Sequence, residues 1–265
     1  MTKIVHIGFG KTGSSKLQKD IFPQICRDYN LEYWGDAYKK NQIESKYHNL
    51  LTNHVTKMEL GFECENLNLP DNILISAEEL SSYRNAEYIE EFAEKNLVAF
   101  GKDTHIILTI REPKSWLSSV YLQLCAHEKP IQNPEHFFLN NNNYSERLPD
   151  VKFNIDKFSY IKVIDAYKLR FNKLTVIKYE YLGKANFLKE IFNITDHEII
   201  KYKKLFEKRI VNRGFSEFSF KISRKFQDIL YKFGLSYRAK YSNAVLIQRA
   251  SDDFKNQNKS KFNKK

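Results

Sequence analysis

A short stretch near the amino terminus carries the residue types that bind an anion. Gly8-Phe-Gly-Lys-Thr-Gly-Ser-Ser15 contains three glycines, a lysine and two consecutive hydroxyl side chains, and an amphipathic stretch follows it. Glycines let backbone amides turn toward an anion, and the amino terminus of the next helix adds positive charge. Each charge-assisted hydrogen bond contributes roughly 1.5–3 kcal/mol. We therefore expect one segment of this loop to bind a phosphate-like group, namely Gly10, Lys11, Thr12, Gly13, Ser14 and Ser15.

The same loop matches two nucleotide-binding patterns. Its Gly-x-Gly-x-x-Gly spacing over residues 8–13 fits the dinucleotide fingerprint, and Asp36 lies about 20 residues further on, where an acid that binds a ribose is expected. The loop also resembles a P-loop, but Ser14 occupies the position of the lysine that contacts the β- and γ-phosphates of ATP. That difference argues against a kinase or an ATPase. Lys11 lies inside the loop instead, where a cation suits a leaving group that gains negative charge.

A second candidate anion site follows the strongest predicted strand, His105–Ile110. The next residues are Arg111-Glu-Pro-Lys-Ser-Trp-Leu-Ser-Ser119, and Pro113 suits the first turn of a helix. Arg111 is therefore expected at the strand end and Ser119 about two helical turns later. An arginine side chain presents a planar fork that matches phosphate oxygens, and a hydroxyl can complete such a site. We predict that Arg111 and Ser119 bind a second anionic group.

In combination, these two segments resemble a known enzyme family. Lys11-Thr-Gly-Ser-Ser15 after the first strand resembles the 5′-phosphosulfate loop of the sulfotransferases that use 3′-phosphoadenosine 5′-phosphosulfate (PAPS). Arg111, with a proline two residues later and Ser119 eight residues later, resembles the 3′-phosphate site of that family. The resemblance implies that the two predicted anion sites bind the two ends of one nucleotide.

Two later segments extend the resemblance. Tyr179-Glu-Tyr-Leu182 is similar to a structural element found late in these chains. Asn212-Arg213-Gly214 lies where the family often has its last cofactor-binding segment. The resemblance therefore implies that Arg213 and Gly214 also bind the nucleotide.

The resemblance also implies an activity. Such enzymes transfer the sulfuryl group of PAPS to a hydroxyl or amine of an acceptor, release adenosine 3′,5′-bisphosphate and need no metal. By resemblance, Lys11 stabilises the bridging oxygen as the sulfuryl group leaves. Relatives modify carbohydrates, lipids, small phenols or proteins. The basic last third of the chain favours a carbohydrate acceptor, as a glycan or glycolipid, whereas the aromatic residues, 14% of the chain, either line a groove that stacks sugars or fill the core.

A base that removes the acceptor proton assists such a transfer. His48 lies at a position that resembles the base or acceptor-binding segment of bacterial relatives. Glu78 follows a predicted strand over residues 73–75, in a Ser-x-Glu pattern that recurs in similar sequences. Glu32 is a third candidate, because some glycan-modifying relatives take their base from this region. His127 is instead expected to cap the carboxyl end of a helix, where a cation is favourable.

The elements that position these residues alternate along the chain. Short strands are predicted over residues 4–7, 31–34, 73–75, 105–110 and 174–179, and helices over 15–22, 85–96, 116–127 and 187–194. This alternation predicts an α/β fold, with a mostly parallel central sheet covered on both faces by helices. The family resemblance implies the P-loop-like sulfotransferase form of that fold, with a helical C-terminal part. Ligands bind beyond the carboxyl ends of parallel strands, so the segments after residues 7, 75 and 110 are expected to converge.

Composition limits the class of protein. The chain has 265 residues, 42% of them hydrophobic, which is enough to bury a core and excludes wholesale disorder. We expect a single domain over residues 1–250, followed by a basic, disordered tail over 251–265 that contains five lysines. The net charge of +11 predicts attraction to polyanions, and it is compatible with peripheral contact to an anionic membrane face.

Cysteine use and the amino terminus predict the compartment. Cys26, Cys64 and Cys125 are odd in number and widely spaced, which disfavours a disulfide framework and a zinc site. No run of apolar residues is long enough to cross a bilayer, and no secretory pattern precedes the first strand. We therefore expect a cytoplasmic protein with no transmembrane segment.

Two other functions compete with sulfuryl transfer. A nicotinamide-dependent enzyme would use the glycine loop as a dinucleotide site, and stabilisation by NAD rather than by adenosine 3′,5′-bisphosphate would identify it. A nonenzymatic polyanion-binding module would follow from the charge alone, with binding that falls steeply with salt. Motif spacing and order favour the first function, so no nucleic-acid partner is expected.

Overall fold

The computed structural model of the protein describes residues 2–35, 46–81, 88–127, 138–139, 153–154 and 158–207. Its strands are β1 Thr2–His6, β2 Glu32–Gly35, β3 Asn72–Ser76, β4 His105–Ile110, β5 Phe138–Leu139, β6 Phe153–Asn154 and β7 Lys173–Lys178. Five of them form one sheet in the order β2-β3-β1-β4-β7, and every pairing in it is parallel. The predicted α/β fold with a parallel sheet is therefore confirmed.

Helices flank this sheet. The α-helices in the described part of the chain, whether or not they flank it, are α1 Ser14–Lys16, α2 Phe22–Asp28, α3 Lys46–Glu59, α4 Ile89–Phe100, α5 Pro113–His127, α6 Tyr160–Arg170, α7 Phe187–Phe192 and α8 Asp196–Glu207. Helices α3 and α6 lie where no element was predicted. The remainder of the expected helical C-terminal part, beyond residue 207, lies outside the described residues.

Both faces of the sheet are buried because neighbouring residues on a strand point to opposite sides. On one face, Val5 and Ile75 belong to a cluster that includes side chains of α3, α4 and α6. On the other face, Ile4 and Leu74 belong to a cluster that includes side chains from residues 17–26, α7 and α8. Continuous apolar strands are typical of parallel sheets for this reason.

The helical stretch after β1 runs further than predicted and changes form. A π-helical turn, Leu17–Ile21, joins α1 to α2, so the stretch extends from residue 14 to residue 28. Pro23 has no backbone N–H, so the α-helical hydrogen bond to the carbonyl of Lys19 cannot form. The wider π-helical turn lies at this position.

The chain divides into two compact units. The first comprises Met1–Trp116, Asn140–Asn143 and Phe153–Val211, and it holds the parallel sheet. The second comprises Leu117–Leu139, Tyr144–Lys152 and Asn212–Lys265, and most of it lies outside the described residues. The single domain over residues 1–250 stays a prediction, and the basic tail lies outside the description. Among the described residues, no helix combines the length and the apolar character that crossing a bilayer requires.

Candidate functional site

The strand order brings three loops to one edge of the sheet. His6, the last residue of β1, pairs with Ser76 of β3 on one side and with Ile107 of β4 on the other. The chain therefore leaves β1 between the loops that follow β3 and β4. Because all three strands are parallel, their carboxyl ends share this edge, and the expected convergence of the three segments is confirmed.

The loop after β1, residues 7–13, has the backbone shape that an anion-binding turn requires. Gly8, Lys11 and Gly13 have positive φ angles of 90°, 66° and 85°. The start of the loop is tied to β4, because the Phe9 N–H donates to the Thr109 carbonyl oxygen at 2.9 Å and the Thr109 N–H donates to the Gly8 carbonyl oxygen at 2.7 Å. Lysine rarely adopts such a φ angle, so the surrounding contacts hold Lys11 in place.

Position 13 requires glycine because neighbouring side chains leave no room for a Cβ atom, and because its φ angle is positive. A Cβ atom at this position would lie 2.6 Å from Leu182 Cδ1 and 3.0 Å from Tyr179 Cδ2. Both side chains belong to the 3-10 helix Tyr179–Lys184 that follows β7. The Tyr179-Glu-Tyr-Leu182 segment therefore packs directly on the loop.

Gly13→Ala should lower the free energy of unfolding more than Gly61→Ala, a matched control with a φ of 76° and no atom within 4 Å of its added Cβ. The backbone strain alone costs about 1–2 kcal/mol at either position. Overpacking against Leu182 and Tyr179 should add about 1–3 kcal/mol at Gly13 only. Urea unfolding of both variants measures the difference, and equal losses would contradict the close packing.

Two cationic side chains meet at this edge. Arg111 follows β4, and its Nη1 donates to the Lys11 carbonyl oxygen at 3.3 Å. Burial lowers the pKa of the half-buried Lys11 ammonium, the nearby Arg111 guanidinium lowers it further, and Glu78 opposes the shift. The structure therefore brings together the first predicted anion site and the arginine of the second.

Arg111 contacts two tyrosines and has one buried donor, Nε, that none of the described residues satisfies. Its guanidinium carbon lies 4.6 Å from the centre of the Tyr179 ring, and its backbone N–H donates to the Tyr160 hydroxyl oxygen at 3.4 Å. The Nε atom is buried and has no hydrogen-bond partner among the described residues. An unpaired buried donor costs about 1–3 kcal/mol, so an acceptor that reached this atom would be bound favourably.

Glu78 faces the anion loop from the neighbouring strand. It begins the short 3-10 helix Glu78–Leu80 after β3, and its Oε1 accepts a hydrogen bond from the Ser14 hydroxyl. Its Cα lies 3.2 Å from the position that a Cβ on Gly8 would take. The adjacent Glu79 is exposed. Of the two neighbouring acids, Glu78 is the one that contacts the loop.

The hydroxyl side chains of the loop differ in their surroundings. Thr12 is fully buried, its hydroxyl donates to the Phe9 carbonyl oxygen, and its Oγ1 lies 2.6 Å from Thr109 Oγ1. The Thr12 hydroxyl is therefore engaged within the protein and stabilises the loop itself. Ser14 is occupied by Glu78, and Ser15 is half-buried.

Several contacting residues were not predicted as part of the site. Trp116 Nε1 donates to the Gly10 carbonyl oxygen at 2.9 Å, and the Glu112 N–H donates to Glu180 Oε1 at 3.0 Å. Trp116 lies within the Arg111–Ser119 segment, and Glu180 lies within the Tyr179–Leu182 segment. Both segments resemble the sulfotransferase family, so the sequence pointed to the right regions but not to these two side chains. Tyr160 carried no sequence signal, because it lies in a helix that was not expected.

The remaining predicted residues lie elsewhere or beyond the description. Glu32 begins β2 level with Ile73, at the amino end of the strands, and accepts a hydrogen bond from Trp34 Nε1 at 2.9 Å. It is therefore not among the residues at the carboxyl edge. The backbone of His48 lies in the first turn of α3 and that of His127 ends α5, but both side chains lie outside the described part, so the cap by His127 stays a prediction.

Ser119 is half-buried in α5 and belongs to the second compact unit. Asp36, Arg213 and Gly214 lie outside the described residues. Within the part of the chain that the structure describes, no group of three or more His, Cys, Asp or Glu side chains is placed to hold a metal ion.

No family model matches the chain, and no curated protein matches it at a significant level. Function must therefore be inferred from the geometry of the site.

Proposed function

We propose that the protein is a sulfotransferase of the P-loop-like type, which transfers the sulfuryl group of PAPS to a hydroxyl or amine of a carbohydrate acceptor. One observation carries this proposal. Lys11 and Arg111 come from loops after adjacent parallel strands, and the Arg111 Nη1 lies 3.3 Å from the Lys11 carbonyl oxygen, with Glu78 across the loop. A donor with anionic groups at both ends suits two neighbouring cationic positions.

Binding of the donor divides between the two loops. The backbone amides of residues 10–15, together with the Ser15 hydroxyl, would bind the 5′-phosphosulfate, since a helix begins at Ser14 and its first amides have no helical partner. The Arg111 guanidinium, whose Nε has no hydrogen-bond partner among the described residues, would bind the 3′-phosphate. The family resemblance assigns Ser119 to the same phosphate. Arg213 and Gly214 are proposed as further contacts to the nucleotide.

The chemistry follows from these positions. The acceptor oxygen forms a bond to sulfur while the bond between sulfur and the bridging oxygen breaks, and adenosine 3′,5′-bisphosphate leaves. The Lys11 ammonium neutralises the charge that develops on the bridging oxygen. The acceptor proton passes to a base, for which we propose Glu78 because its carboxylate already contacts the loop. His48 is the alternative base.

Glu78→Gln should lower the transfer rate by about 10²–10⁴-fold, the usual contribution of a general base. The amide keeps an oxygen that can accept the Ser14 hydrogen bond but cannot take the acceptor proton. Glu79→Gln is the matched control, since this neighbour is exposed, and its rate should equal that of the wild type. Turnover of both variants is measured with labelled PAPS. Full activity of Glu78→Gln would assign the base elsewhere, and His48→Gln would then be measured.

The proposed function is tested by incubating the protein with sulfur-labelled PAPS and a panel of glycan, glycolipid and phenolic acceptors. We expect label on a carbohydrate, because the net charge of +11 favours an acidic or polymeric glycan. Thermal unfolding with adenosine 3′,5′-bisphosphate or NAD provides an independent test. Stabilisation by NAD alone would replace this proposal with a dinucleotide-dependent enzyme.

A further inference from the structure

A chain of buried polar side chains lies directly beneath the anion loop. It crosses three strands and consists of Ser76 on β3, His6 on β1, Thr109 on β4 and Thr12 in the loop, all fully buried. Ser76 Oγ lies 2.7 Å from His6 Nδ1, and His6 Nε2 lies 3.2 Å from Thr109 Oγ1. Thr109 Oγ1 lies 2.6 Å from Thr12 Oγ1, and Thr12 in turn donates to the Phe9 carbonyl oxygen. We call these four residues the polar relay.

The hydrogen bond from Thr12 to the Phe9 carbonyl oxygen determines which atom donates in every other hydrogen bond of the polar relay. A carbonyl oxygen only accepts, so the single hydroxyl proton of Thr12 points to Phe9. Thr12 Oγ1 must then accept from Thr109, whose own proton is thereby used. Thr109 Oγ1 can only accept the remaining bond, which requires a proton on His6 Nε2.

The other ring nitrogen of His6 is then determined. A neutral imidazole has one N–H, so Nδ1 must accept, and the Ser76 hydroxyl donates to it. Burial lowers the pKa of His6 to about 3, which keeps the ring neutral at pH 7. The hydroxyls of Thr109 and Thr12 each donate once and accept once, and the Ser76 hydroxyl donates, so the hydrogen bonds of the polar relay can run in one direction only.

We infer that His6 is a positioning residue for the anion loop: as the neutral Nε2–H tautomer, it directs the polar relay that holds residues 9–12 in the conformation presenting Lys11. The bond from Thr12 to the Phe9 carbonyl oxygen closes the turn that contains Gly10 and Lys11. Lys11 has a positive φ angle of 66°, so the turn needs such a constraint. The effect on nucleotide binding rests on the function proposed above, whereas the tautomer and the loop shape do not.

Nitrogen-15 NMR of the histidine rings in the free wild-type protein tests the first part. We expect His6 to give the signals of a neutral ring with the proton on Nε2 at pH 7. A ring protonated on Nδ1, or an imidazolium, would overturn the inference. This measurement needs no variant and no ligand.

Thr109→Val tests the second part, because valine has the shape of threonine but removes the central hydroxyl. We expect shifted amide signals for residues 11–13 and about tenfold weaker binding of adenosine 3′,5′-bisphosphate, the effect of one buried hydrogen bond. Thr109→Ser should restore both. Thr104→Val is the matched control, since Thr104 is buried and donates to the Phe100 carbonyl oxygen at 2.7 Å, away from the loop.

The two proposals fail in different ways. Unchanged amide signals for residues 11–13 in Thr109→Val, or equal changes in Thr104→Val, would overturn the inference about the polar relay. If neither wild type nor variant bound the bisphosphate while the amide signals changed as expected and Thr109→Ser restored them, the positioning role would stand. The proposed sulfotransferase function would then be wrong.

Discussion

Replacing Lys11 with alanine is expected to lower sulfuryl transfer by about 10²–10³-fold, the usual effect of removing one group that stabilises developing charge. Affinity for adenosine 3′,5′-bisphosphate should change little, because the loop amides remain. The main-chain carbonyl that accepts from Arg111 also remains. Alanine and lysine bear similar backbone strain at positive φ, so the variant should keep the loop shape. Single-turnover rates with labelled PAPS, together with calorimetric binding of the bisphosphate, measure both quantities.

Lys19→Ala is the control for this variant. Lys19 lies on the helical stretch that follows the same loop, but its side chain is exposed. Its removal changes the net charge equally and should leave the transfer rate unchanged. Turnover of Lys11→Ala within a few-fold of the wild type would remove Lys11 from the mechanism.

Arg111→Ala should have the largest effect on binding. We expect affinity for adenosine 3′,5′-bisphosphate to fall about 10–100-fold, the effect of losing charge-assisted hydrogen bonds to one phosphate. Affinity for adenosine 5′-phosphate, which lacks the 3′-phosphate, should fall far less. Calorimetry with each nucleotide gives the loss of affinity in Arg111→Ala. An equal loss for both would show that Arg111 does not bind the 3′-phosphate.

Two further variants separate charge from geometry at this position. Arg111→Lys keeps a cation but loses the planar fork, so its affinity for the bisphosphate should lie between those of the wild type and Arg111→Ala. Arg27→Ala is the control, because Arg27 is an exposed arginine whose Nη2 donates to Gln24 Oε1 at 2.9 Å. This variant should bind the bisphosphate as the wild type does. Melting temperatures are compared in parallel, because Arg111 also packs on the Tyr179 ring.

Much of the fold was predictable from local patterns. Strand β4 was predicted with the bounds it has in the structure, and the other four sheet strands within one or two residues at each end. Each is a short apolar run, because a strand covered on both faces must be apolar throughout. Helix α3 was missed although Leu51, Val55 and Met58 recur at helical spacing.

The candidate site was predictable in part. Glycines at positions 8 and 13 indicated the loop because positive φ favours glycine, and both have it. The preference for Glu78 over Glu79 agrees with the contact to Ser14. Thr12 was expected to bind the nucleotide, whereas its hydroxyl is buried within the polar relay, whose other members lie on three different strands.

By itself, the sequence determined which segments become strands and which loop has the glycines, lysine and hydroxyls for an anion. These properties depend on neighbouring residues, since burial periodicity and φ preference are local. Only the tertiary structure decided that β1 lies between β3 and β4, and hence that Ser14 contacts Glu78, 64 residues away, and that Gly10 contacts Trp116, 106 residues away. Such contacts depend on how the whole sheet packs, and no local pattern encodes them.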